Sequence, residues 1–78
     1  MTIDPIRKDH AMSIVKVIEV ISGSEKSWDD AAQNAVTDAG KSIKNIKHFY
    51  VESMTALVDG KGKISEYRIN GKISFVVD

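Results

Sequence analysis

The chain has 78 residues, 42% of them hydrophobic, with no cysteine and equal totals of 11 basic and 11 acidic side chains. That hydrophobic share excludes a chain disordered throughout, and the missing thiols exclude disulfides, thiolate metal sites and thiol nucleophiles. A formal net charge of zero, with no basic cluster beside exposed aromatics, lacks the footprint by which nucleic-acid-binding proteins displace counterions from phosphates.

Size adds a constraint. Below roughly 70–80 residues a single core supplies only about 3–5 kcal/mol, and small domains add disulfides, a metal or oligomerisation. With no cysteine and no Cys/His cluster, oligomerisation is the expected route. No apolar run reaches the roughly 18 residues of a membrane span, so no membrane partner is expected. Met1 to Ala11 carries Asp4, Arg7, Lys8, Asp9 and His10 and lacks the apolar stretch of a signal peptide. The expectation is a cytoplasmic protein. Residues 1–11 read as a disordered leader, native or an expression remnant, and residues 12–78 as one domain.

The first strand is expected from about Ser13 to Ile21. Ile14, Lys16, Ile18 and Val20 share one face, and Val15, Val17, Glu19 and Ile21 the other. Both faces are mainly apolar, whereas an antiparallel strand with one solvated face alternates. A single helix covers one side, so a neighbouring subunit is expected on the second. Ser22-Gly23-Ser24 is expected to break the strand, with Gly23 in a turn that favours positive φ.

Ser27-Trp28-Asp29-Asp30 fits a helix start: Ser27 as N-cap and two carboxylates near the positive end of the dipole. The helix is expected to run to about Ile43. Its apolar stripe is Trp28, Ala32, Ala35, Val36, Ala39 and Ile43, widened by Ala31; alanines let a sheet approach closely. Asp30, Gln33, Asn34, Thr37, Asp38 and Lys41 form the outward face. Trp28 reads as a core or staple residue.

The period returns to two over Ile46 to Val58, a long second strand on which His48, Tyr50, Glu52 and Met54 share a face. Asp59-Gly60-Lys61-Gly62 is a hairpin turn. The third strand, Lys63 to Val77, sets Tyr67, Ile69, Ile73 and Phe75 toward the helix. Glu66, Arg68, Asn70, Lys72 and Ser74 lie on the other side. The fold class is α+β with order β-α-β-β: a three-stranded antiparallel sheet wrapped around one helix.

The stretch Met12 to Val77 resembles the dodecin family. The pieces that match in order are Val17-Ile18-Glu19-Val20 with Gly23-Ser24, the alanine-rich helix, and the paired long strands closing on Lys72-Ile73-Ser74-Phe75. The resemblance implies a dodecin-like domain over residues 12–78 that forms a hollow homododecamer, with small-ligand sites where subunits meet. It also implies a flavin-type site for riboflavin, FMN or FAD. In flavin-binding members a tryptophan early in the second strand stacks on the ring, and a glutamine in the third bonds its edge. Those positions are His48 and Arg68 here, with Tyr50 beside them as a further cofactor-binding candidate. Imidazole offers less π-surface than indole, and a guanidinium donates but does not accept.

Ser27-Trp28 with the acid-rich helix start, together with Tyr67-Arg68-Ile69, is similar to the calcium dodecin branch, which implies sequestration of a divalent cation. Calcium takes six to eight oxygens. Asp29, Asp30, Asp38, Glu52 and Glu66 are candidates, without EF-hand spacing, so a site would be assembled across subunits. A structural oligomer without ligand is the remaining alternative. No serine or cysteine beside His48 forms a nucleophilic arrangement, so the chain is not read as an enzyme.

Overall fold

The computed structural model describes residues 14–77, so the leader over residues 1–11 lies outside the described residues. Four elements follow in the expected order: β1 (Ile14–Ser24), α1 (Trp28–Ala39), β2 (Ile46–Val58) and β3 (Ile64–Val77). They form one antiparallel sheet of order β1-β3-β2. The β2–β3 hairpin thus pairs strands adjacent in sequence, and β1 lies on the free side of β3.

The hairpin turn forms as its residues dictate. Asp59 Oδ1 accepts from the N–H groups of Lys61 and Lys63 at 2.8 and 3.0 Å, and Gly62 N donates to Asp59 O at 3.1 Å. Gly62 takes φ +79°, the left-handed conformation that a side chain disfavours.

The helix starts where expected. Ser27 caps it, its hydroxyl accepting from Asp30 N at 3.0 Å, with Asp29 and Asp30 in the first turn. It ends at Ala39 rather than near Ile43. Past Gly40 the chain tightens into three-residue turns, Lys41 N to Asp38 O and Ser42 N to Ala39 O, each at 3.2 Å. A glycine at this point adds nothing to hold the helix open.

β1 is longer than its sequence suggests. Ser22, Gly23 and Ser24 stay paired with Ile69, Arg68 and Tyr67 instead of breaking the strand. Gly23 does not take the positive φ of a turn, and a Cβ there would meet only the end of the Glu66 side chain, which can swing aside.

One sheet face packs on the helix. Ile69 and Ile73 are buried to 2% and 0% exposure against Ala31 and Ala35, and these four are the buried apolar residues of the described chain. Full burial of an isoleucine stabilises by about 1.5–3 kcal/mol, so this core is small. Against it stand Ile14 at the start of β1, exposed by 58%, and Val15, Val17 and Ile21 on its second face, exposed by 64%, 54% and 72%. The apolar second face of β1 is uncovered in the single chain, as its pattern required.

Two of the outward helix positions are not outward. Asn34 Nδ2 donates to Gly23 O at 3.2 Å, and Asp30 accepts from the Ser24 hydroxyl at 2.7 Å. Both side chains turn back to the end of β1. Helical phase alone put them opposite the alanine stripe, but the longer strand brings Gly23 O and the Ser24 hydroxyl within their reach.

Candidate functional site

The sheet face away from the helix carries the polar candidates. Its middle strand presents Glu66, Arg68, Asn70, Lys72 and Ser74. Register then fixes their neighbours. Ser74 lies between Val17 and His48, Lys72 between Glu19 and Tyr50, Asn70 between Ile21 and Ser53, and Arg68 between Gly23 and Thr55.

His48 and Tyr50 lie together at one end. Their rings are stacked, 5.8 Å between centroids and 24° between planes. His48 Nδ1 sits 3.2 Å from the Ser74 hydroxyl. Both rings are exposed, so this is an open aromatic shelf rather than a pocket.

Arg68 lies at the other end. Its Nε donates to Glu66 Oε2 at 3.1 Å. Arg68 and Ser74, the partner of His48, are six positions apart on β3, about 20 Å at roughly 3.3 Å per residue. One chain therefore does not bring His48 and Arg68 onto the same small ring. They meet a common ligand only if different copies supply them.

Met54 departs from the grouping with His48. It pairs with Ile69 on the helix face. The cause is a bulge between Val51 and Ser53, where Glu52 has no partner in register and the side-chain alternation slips by one. Glu52 instead bonds Lys72 across the face at 3.2 Å.

The acidic candidates are dispersed. Glu66 is held by Arg68, Glu52 by Lys72, Asp38 by Lys41 at 3.2 Å and Asp30 by Ser24. Asp29 is exposed on the first helical turn. Among the described residues, no three His, Cys, Asp or Glu side chains gather to hold a metal ion. Sequence reasoning did not single out Ser74 or Lys72 as site neighbours. Counting back along the hairpin from the Asp59 turn was the signal that would have found them.

The Dodecin family model matches residues 14–78. The calcium dodecin of Mycobacterium tuberculosis is 42% identical over 64 residues, covering 82% of this chain and 89% of that protein. A crystal structure described as the calcium chelating calcium dodecin of that organism, with a novel calcium-binding site, superposes with a TM-score of 0.74. It is 38% identical and covers 83% of this chain and 91% of its own. The dodecin of Streptomyces coelicolor shares the fold at a TM-score of 0.81 and 24% identity, covering 87% of this chain and 96% of its own.

Proposed function

This chain belongs to the dodecin family, and from that premise we propose that it is a non-catalytic protein that stores a small ligand in sites completed where its copies meet. One observation carries the reading: His48 and Arg68 share a face yet lie about 20 Å apart in a single chain. A ligand that touches both needs at least two copies. The uncovered apolar residues Ile14, Val15, Val17 and Ile21 supply a reason for those copies to associate. The assembly is a closed homododecamer, its number taken from the family.

The ligand is a flavin or a related flat ring system. The His48–Tyr50 shelf offers a stacking surface, and Arg68 offers donors to ring carbonyls. Native mass spectrometry tests both parts together. The expected result is a twelve-subunit particle that takes up added riboflavin. A folded particle that retains none at high micromolar riboflavin overturns the flavin reading.

A second reading has its own support, the 42% identity to a protein named calcium dodecin. Here the particle sequesters a divalent cation with carboxylates from several copies, since the described residues of one chain do not gather enough of them. Calcium titration by calorimetry separates the two readings.

A further inference from the structure

We propose that the helix fixes the position of Arg68 from the far side of the sheet, with Trp28 and Asn34 as its positioning residues. Gly23, Arg68 and Thr55 form one row across all three strands. Helix side chains bond main-chain carbonyls at both ends of that row. Asn34 Nδ2 donates to Gly23 O at 3.2 Å, and Trp28 Nε1 donates to Thr55 O at 3.1 Å. In the middle strand Tyr67, the residue before Arg68, meets the Trp28 ring edge-on, 4.9 Å between centroids and 76° between planes. All three strands are thus tied to one rigid element at the level of Arg68.

The helix start is itself anchored. Ser24 is buried, and its hydroxyl donates to Asp30 and accepts from Lys26 N at 2.9 Å. The clamp therefore cannot slide along β1 without breaking the turn that leads into the helix.

The opposite end of the ligand face is built differently. Across the row Val17–Ser74–His48, the described residues show no side-chain hydrogen bond from the helix, and His48 is held by Ser74 within the sheet. The consequence is a division of labour on the proposed ligand face, on which this inference rests. Arg68 and Glu66 present a fixed polar contact, while the His48–Tyr50 shelf is left to adjust to what it stacks on.

Two variants and two measurements on the intact particle test the clamp. Trp28→Phe keeps a ring against Tyr67 but removes the N–H donor. Asn34→Ala removes the donor at the other end and suits a helix. Amide exchange followed by mass spectrometry should accelerate about fivefold around Gly23, Arg68 and Thr55, the factor that loss of an ordinary hydrogen bond gives. Exchange around His48 and Ser74 should stay unchanged. Riboflavin, used as the probe, should bind several-fold more weakly to both variants. In an Arg68→Ala background neither variant should weaken it further, because the clamp acts through Arg68.

Unchanged exchange in both variants overturns the clamp. So do equal affinity losses with and without Arg68, which would mark a general loosening. A wild-type particle that binds no riboflavin, in variants of which the row still exchanges faster, supports the clamp and overturns the flavin reading.

Discussion

The His48 and Tyr50 rings, two residues apart on one strand, lie 5.8 Å apart and within 24° of parallel. Neither ring alone matches an indole in area, but stacked on one another they brace each other as one aromatic unit. An aromatic pair of this kind contributes about 0.5–1.5 kcal/mol beyond the area it covers. Tyr50→Leu should therefore weaken riboflavin binding about two- to tenfold, read by quenching of riboflavin fluorescence. Unchanged quenching would show that the ligand does not lie on this shelf.

The shelf depends on how closely β2 approaches β3. Gly71 sits opposite Val51, and a Cβ placed there would collide with Tyr50 O and come within 2.7 Å of Phe49 Cε1. Main chain cannot yield as a flexible side chain does. Gly71→Ala should destabilise the fold by about 1–3 kcal/mol and displace Tyr50. Gly60→Ala is the control, because a Cβ there meets nothing within 4 Å. Urea midpoints of the two variants should differ clearly, and matching midpoints would contradict the close approach.

Helix packing gives a second steric test. Ala35 is buried against the sheet, whereas Gln33 is exposed and bonds only the exposed Thr37. Ala35→Leu should cost about 1–3 kcal/mol through overpacking. Gln33→Leu should be nearly neutral, since both residues are good helix formers. Asn34 is unsuited as the outer-face control, because its amide bonds Gly23 O. Equal urea midpoints for the Ala35 and Gln33 variants would mean that the helix phase is wrong.

Much of this architecture was legible in the chain. The two-residue period of β3 fixed which side chains meet the helix, and Ser27 and Asp59 marked the helix start and the hairpin turn. The middle of the ladder was not legible. Counting residue for residue from the Val58–Ile64 pair sets His48 opposite Ser74 and Met54 opposite Arg68. The structure keeps the first pairing and replaces the second with Met54–Ile69. An irregularity beside Val58 adds a residue to β3, and the bulge at Glu52 adds one to β2, so the two shifts cancel by Tyr50. Nothing in a local pattern announces a bulge, because what it optimises is pairing with a distant strand. For the same reason the bonds from Trp28 and Asn34 to main-chain carbonyls were invisible: they join residues 27 and 11 positions apart. The exposed placement of His48, Tyr50 and Arg68 was legible strand by strand. That one chain cannot unite them needed the register.

Assembly is testable on β1. Ile21 is 72% exposed in the single chain, so a charge there costs the lone fold little. Buried between copies, an unpaired carboxylate would cost several kcal/mol. Ile21→Glu should leave secondary structure intact by circular dichroism and shift sedimentation from one large species to small ones. A wild-type protein that sediments as a folded monomer at micromolar concentration would rule out the assembly altogether.

The residues that stand at the proposed ligand face lead to the last prediction. His48 and Arg68 stand where the resemblance to flavin-binding dodecins implies a tryptophan and a glutamine. Imidazole covers less of a ring system than indole. Arg68 donates only, and its Nε is already engaged by Glu66 at 3.1 Å. Wild-type affinity for riboflavin should therefore be measurable but poor. His48→Trp restores stacking area, and Arg68→Gln restores a group that both donates and accepts while releasing Glu66. At about 1–1.5 kcal/mol for each recovered contact, the double variant should bind riboflavin one to two orders of magnitude, roughly 10- to 100-fold, more tightly. Fluorescence titration of the two proteins decides it. Absence of any gain would mean that the face has been remodelled beyond these two residues. Calcium titration by calorimetry then becomes decisive, with Asp29, Asp30, Glu52 and Glu66 replaced by their amides one at a time. Under the flavin reading those four replacements leave calcium heats unchanged. Under the cation reading at least one abolishes them.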